Sequence, residues 1–121
     1  MPWAVRTFTS DTGTKPVDDW MRSLDPEARA AVVNVVDLLE EHGAALALPH
    51  ARPLGEGLWE LRARSPGGIQ RVIYFHWFGR TFGLLHGFTK KTRQTPRTEI
   101  DTARRRQATW LARERGTPRN K

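Results

Sequence analysis

Leu58-Trp59-Glu60-Leu61-Arg62, a break at Ser65-Pro66-Gly67-Gly68, then Ile69-Gln70-Arg71-Val72-Ile73-Tyr74-Phe75-His76-Trp77, a second break at Gly79-Arg80, and a return through Phe82 to Lys90-Lys91-Thr92: this stretch decides the fold. β-branched and aromatic residues dominate its runs, turn residues separate them, and no run is long enough to require a helix. The reading is a three-stranded antiparallel meander, with Pro66-Gly67-Gly68 as the first turn and Gly79-Arg80 as a two-residue second turn.

Turns centred there fix a register. Arg62 falls opposite Arg71, Glu60 opposite Ile73, Lys90 opposite Ile69 and Phe88 opposite Arg71. Alternation then places Glu60, Arg62, Arg71, His86 and Lys90 on one face, and Tyr74 and His76 on the other. A one-residue slip of the last strand would exchange Lys90 for Lys91. Two facing guanidinium groups repel. They are tolerable if Glu60 bridges them, if water screens them, or if they await an anion such as a phosphodiester, whose oxygens suit the planar guanidinium fork. The plainer reading is a solvated, charged sheet face.

Working outward, Trp3-Ala4-Val5-Arg6-Thr7-Phe8 alternates as a short N-terminal strand. Pro16 opens a short helix with Val17, Trp20, Met21 and Leu24 at helical spacing, where the Trp and Met read as core. Asp25-Pro26-Glu27 is a helix start with Asp25 as N-cap. That helix runs through Ala28, Val32, Val35 and Leu39 to a Gly43 cap, with Arg29, Asn34, Asp37, Glu40 and Glu41 on its outer face. Ala44–Gly57 is the least determined stretch: Ala44–Leu48 suggests a short turn of helix before Pro49, and Pro53 and Gly55 lead into the meander. Thr95 as N-cap with Pro96 at the first position starts a final helix, which docks through Ile100, Ala103, Gln107, Trp110 and Leu111. Residues from about 116 to 121 form a frayed tail. The expectation is one α+β domain over residues 1–121: a twisted antiparallel sheet of the N-terminal strand plus the meander, a helical hairpin before the meander and a C-terminal helix after it.

The chain has 121 residues, no cysteine and a formal net charge of +7. Residues 86–121 carry eleven Lys/Arg against three acids, a balance of +8, whereas residues 1–85 carry nine against ten, a balance of −1. Such asymmetry suits a polyanion approaching one side, most simply nucleic acid, although a basic tail can also serve solubility alone. Without cysteine there is neither a disulfide nor a thiolate metal site. The N-terminus lacks a leader-like basic and apolar sequence, and no apolar run reaches spanning length, so a cytoplasmic location without a membrane is expected.

Several chemistries find no support. His42, His50, His76 and His86 show no close ligand spacing, so neither a metal nor another cofactor is expected. There is no phosphate-binding Gly-rich loop ahead of Lys-Ser/Thr and no Gly-x-Ser-x-Gly elbow. The meander aromatics can stack bases, but a domain of this size needs most of them in its core. What remains is metal-free cleavage of RNA, which needs a base for the 2′-hydroxyl, positive charge for the phosphorane and an acid for the leaving oxygen. Arg and Lys can supply the charge, and Tyr74, His76 or His86 can act in proton transfer. Arg64 in the meander and Arg93, Arg97, Arg104 and Arg105 at the basic end are further candidate RNA contacts. The rival readings are a non-catalytic RNA- or ribosome-binding protein and a DNA-binding phage-derived protein.

The ordered set Leu58-Trp59-Glu60-Leu61-Arg62, Arg71-Val72-Ile73-Tyr74, His86-Gly87-Phe88, Lys90-Lys91-Thr92 and Thr95-Pro96 resembles the HigB-like, phage-associated branch of the RelE-superfamily toxins, over about residues 54–106. Each motif alone is weak, and their order and spacing carry the resemblance. It implies a small α/β toxin of a type II toxin–antitoxin system that cleaves mRNA in the ribosomal A site without metal, leaving a 2′,3′-cyclic phosphate. It also implies a helix-turn-helix (Xre-type) antitoxin as partner, alongside the ribosome and mRNA. By position, the resemblance makes Arg71 the arginine for the scissile phosphate and Lys90 and Lys91 the basic pair ending the last strand. Glu60 and Arg62 fall on charged positions of the preceding strand, and His86 is the better-placed titrating group.

Overall fold

The computed structural model describes residues 2–90 and 94–116, with side chains through residue 114. In chain order the elements are β1 (Ala4–Thr7), α1 (Pro16–Ser23), α2 (Pro26–His42), a 3-10 turn (Gly43–Ala45), β2 (Ala51–Gly55), β3 (Leu58–Ser65), β4 (Gly68–Phe78), β5 (Thr81–Lys90) and α3 (Arg97–Gly116). Five strands form one sheet in the order β1-β5-β4-β3-β2. The meander has the expected register: Arg62 opposes Arg71, Glu60 opposes Ile73, Ile69 opposes Lys90 and Arg71 opposes Phe88. Its first turn is the two-residue Pro66-Gly67 loop, since Ser65 pairs directly with Gly68.

The structure departs from the sequence reading in four respects. The N-terminal strand joins β5 in parallel, so the sheet is mixed. The undetermined stretch holds a fifth strand: β2 lies antiparallel to β3, with Arg52 opposite Glu60 and Pro53 opposite Trp59. A proline is admissible there because β2 is an edge strand and needs no donor on its outer side. The expected turn of helix over Ala44–Leu48 shrinks to the 3-10 turn. Finally, β4 and β5 slip register between Ile73 and Tyr74: Ile73 pairs with His86 and Tyr74 with Leu84, so Leu85 has no partner in β4. This bulge keeps His86 and Phe88 on one face while sending Leu84 and Phe82 to the other.

Two cores result, one on each face. Val17 of α1 and Val32, Val35 and Leu39 of α2 pack against Leu61, Val72, Tyr74 and Leu84. On the opposite face Ala103 and Trp110 of α3 pack against Phe8, Leu58, Ile73, Phe75, Leu85 and Phe88. Fully burying an aliphatic or Phe side chain is worth about 1.5–3 kcal/mol, so these contacts, rather than helix propensity, hold the helices in place. Asp25 caps α2 as expected, its Oδ1 accepting from Ala28 N at 2.8 Å. Arg29 is not a free outer-face residue. Its Nε and Nη2 donate to the carbonyls of Met21 (3.0 Å) and Leu24 (2.7 Å), closing the end of α1 onto α2. Among the described residues no helix is long and apolar enough to cross a membrane.

Candidate active site

α3 covers only part of its face. At the β3–β4 turn end, cross-strand rows run Arg64–Ile69–Lys90, Arg62–Arg71–Phe88 and Arg52–Glu60–Ile73–His86. Strands lie about 4.8 Å apart, so the Arg64 and Lys90 backbones stand about 10 Å from each other across Ile69. Five cations and one carboxylate therefore share a small area: Arg52, Arg62, Arg64, Arg71 and Lys90 around Glu60.

Glu60 answers the question raised by the facing arginines: it bridges them. Its side chain is 0% exposed, and Arg52 Nε lies 3.1 Å and Arg62 Nε 3.9 Å from Oε1, with Arg71 Nη1 3.7 Å from Oε2. Taking a carboxylate out of water costs several kcal/mol unless charges and hydrogen bonds replace the lost hydration. The replacement here comes from β2, β3 and β4 together with Thr95. The Thr95 hydroxyl donates to Glu60 Oε2 at 2.5 Å and accepts from Arg52 Nη2 at 3.0 Å and Arg71 Nη1 at 3.2 Å. One donor and two lone pairs are all a hydroxyl has, so Thr95 is saturated.

The sequence reading gave Thr95 a different place, as the N-cap of α3. Instead α3 begins at Arg97, and the Pro96 carbonyl accepts from Glu99 N (3.1 Å) and Ile100 N (3.3 Å). Arg52 and Thr95 are the two site residues that sequence reasoning missed. Arg52 lay in an unassigned stretch, and Thr95 before Pro96 matched a familiar cap signature that its hydroxyl does not follow.

Exposure divides the cluster. The Arg71 side chain is 0% exposed, while those of Arg62 and Arg52 are 17% and 31% exposed. Burial pulls the Arg71 guanidinium below its ordinary pKa, and the Glu60 charge opposes that pull; an arginine stays protonated regardless. Arg71 thus lies beneath the surface that Arg52, Arg62 and Lys90 present. Arg64 is exposed at the open end.

His86 shares the face but is engaged on both ring nitrogens. Arg106 Nη1 lies 3.1 Å from Nδ1, and a guanidinium can only donate, so Nδ1 accepts and Nε2 carries the proton. Nε2 then donates to Glu99 Oε1 at 2.5 Å. Arg106 also donates to the carbonyl of Leu85 at 3.0 Å, the residue that the bulge leaves without a partner in β4. His86 therefore fastens α3 to β5, with both ring nitrogens engaged by α3 side chains. Burial, aided by Arg106 and opposed by the Glu99 hydrogen bond, draws its pKa below 6.5. Tyr74 and His76 do lie on the opposite face. Tyr74 is buried and its phenol pKa is pushed up by that burial, and His76 Nε2 donates to the Gly79 carbonyl at 2.5 Å.

Of the other sequence candidates, Arg97 is highly exposed at the start of α3, 3.9 Å from Asp101. Arg105 is exposed on the same helix. Arg104 pairs with Glu56 at 3.0 Å, tying α3 to the β2–β3 turn. Lys91 and Arg93 lie outside the described residues, as does most of the expected frayed tail. Among the described residues no three His, Cys, Asp or Glu side chains come together as a metal-binding group.

Comparison with known proteins bears on the same residues. The sequence family described as "Phage derived protein Gp49-like" matches residues 19–108, a span that contains the whole cluster. "Probable endoribonuclease HigB1" of Mycobacterium tuberculosis, from strains CDC 1551 / Oshkosh and ATCC 25618 / H37Rv alike, is 33% identical over 88 residues, covering 72% of this chain and 67% of that protein.

Proposed function

The chain belongs to the phage-derived Gp49-like family, within the HigB-like branch of the RelE toxin superfamily, and from that premise we propose that it is the toxin of a type II toxin–antitoxin system, an endoribonuclease that cuts mRNA on the ribosome without a metal ion. The observation that carries the reading is the Glu60-centred cluster, in which a buried carboxylate and a saturated hydroxyl hold guanidinium groups at the open end of a sheet.

In the reaction proposed, the ribose 2′-oxygen attacks the adjacent phosphorus and the bond to the 5′-oxygen breaks. The products are a 2′,3′-cyclic phosphate and a 5′-hydroxyl. The 2′-hydroxyl proton leaves to a base, and the departing oxygen gains one from an acid. Arg52 and Arg62, the partly exposed guanidiniums, take the phosphate oxygens and stabilise the phosphorane. Lys90, which ends β5, adds charge from the far side of Ile69, and proton transfer falls to Lys90 or to Lys91, the next residue in the sequence. Arg71 and Glu60 act through the others, holding their guanidiniums at fixed angles. Arg64, Arg93, Arg97 and Arg105 guide the RNA backbone. The partner proposed is a helix-turn-helix antitoxin whose acidic surface would complement this face.

The test is 5′-end mapping of RNA in a bacterial host after brief induction, using a translatable reporter and the same reporter without its start codon. Cuts confined to the translated message and in phase with its reading frame are expected. Cuts in both messages would remove the ribosome from the mechanism. Growth arrest without cuts would leave a binding protein in place of a nuclease.

A further inference from the structure

A cavity of about 250 Å³ lies beside the cluster, between α2 and the end of the β3–β4 hairpin, and Arg62 belongs to both. It arises because β2 is shorter than β3. Pairing between them ends at Ala51 and Leu61, and the His50 carbonyl takes the Arg62 N–H at 2.8 Å. Beyond that point the β3 edge has no strand beside it, and the two-residue period of a strand turns the Arg64 N–H toward the same open side.

The lining has the composition of a base-recognition site. Val35 and Ala63 make part of the lining apolar, and Pro49 and His50 are ring-bearing residues of it. Asn34 contributes a carboxamide, which both donates and accepts as a base edge requires. Arg62 and Arg64 add charge to the lining. The side chains of Asn34 and His50 make no hydrogen bond to any other described residue. Drug-sized ligands occupy roughly 300–1,000 Å³, so this volume suits something smaller, on the scale of a single nucleobase.

We propose that this cavity is a nucleobase subsite, which takes the base of a nucleotide flanking the cleaved bond while Arg62 holds its phosphate. The inference rests on the proposed ribonuclease reading and extends it: selectivity for the cut position comes partly from this chain, through Asn34, and not from the ribosome alone. Arg62 links recognition to cleavage, since a base seated against Asn34 brings its own phosphate to the guanidinium that Glu60 holds.

Two experiments separate the subsite from the activity. In the first, the full chain is titrated with each of the four ribonucleoside 3′-monophosphates and with inorganic phosphate, following backbone amide shifts. At least one nucleotide is expected to move the Asn34 and Val35 amides where phosphate moves only those around Arg62, and Asn34→Ala should abolish the α2 response. Identical responses to phosphate and to every nucleotide, or a silent α2, would overturn the proposal. This titration stands even if the protein cuts no RNA. In the second, the 5′-end map of Asn34→Ala is compared with that of the parent, after a matching thermal melt has shown the variant folded. A redistribution of cut sites by at least about fivefold between bases is expected. An unchanged distribution in both Asn34→Ala and His50→Ala would sink the subsite while leaving the nuclease intact.

Discussion

At Glu60 one carboxylate without solvent contact is held by guanidiniums from β2, β3 and β4 and by the Thr95 hydroxyl, and the consequences of substitution depend on which partner is removed. Arg71→Ala leaves a buried charge short of a partner and should cost about 3–5 kcal/mol in urea denaturation. Loss of toxicity in that variant would thus report folding as much as chemistry. Arg62→Ala is the cleaner probe. Its 3.9 Å contact with Glu60 is partly exposed, so stability should change by about 1 kcal/mol or less, while cleavage should fall by roughly 10²–10³-fold if the guanidinium meets the phosphorane. Full activity in a folded Arg62→Ala protein would remove it from the mechanism. Thr95→Val keeps the shape and deletes the hydroxyl, and a loss of about 1–3 kcal/mol is expected from the polar groups left behind.

At the scale of elements, β5 carries two glycines that let one helix approach from each side. A Cβ on Gly87 would lie 2.2 Å from the Trp20 ring of α1, and one on Gly83 would lie 2.8 Å from the Trp110 ring of α3. Gly87→Ala and Gly83→Ala should each destabilise by about 1–3 kcal/mol through overpacking, the second loosening α3 alone; native-state hydrogen exchange resolves which helix opens. The clasp between α3 and β5 also titrates. Because the folded pKa of His86 lies below its ordinary 6.5, its contribution is complete above that pH and is lost as pH falls from 6.5 through the folded value. Acid should release α3 early, and His86→Gln should flatten that part of the pH profile. The meander and its register were legible from turn residues and alternation, because Pro66-Gly67 and Gly79-Arg80 leave few ways to pair the strands. β2 was not, since Pro53 argues against a strand unless an edge position is already known. Nor was the bulge at Leu85, which alternation cannot foresee and whose carbonyl takes a hydrogen bond from Arg106, 21 residues away.

For the whole molecule, the excess of positive charge toward the C-terminal third is only half of the electrostatic design. The sequence located that excess, yet Arg52, the most exposed guanidinium touching Glu60, comes from residues 1–85, whose net balance is −1. Its arrival at the site is a product of sheet topology, invisible in any count along the chain. RNA binding measured against salt should reflect both parts. For single strands the logarithmic slope is about −0.7 per neutralised phosphate, so a cleavage-resistant oligonucleotide should bind the Arg52→Ala/Arg62→Ala double variant with a slope shallower by about 1.4, whatever its sequence. The cluster also has a history within the life of each molecule. Thr95 closes it over Arg52, 43 residues earlier in the chain, and domains emerge from synthesis N-terminal end first. A nascent chain lacks its closing hydroxyl until residue 95 has been added and has folded back onto the strands. The complete cluster is therefore a late acquisition of the folding chain, formed only once Thr95 reaches the strands that hold Glu60.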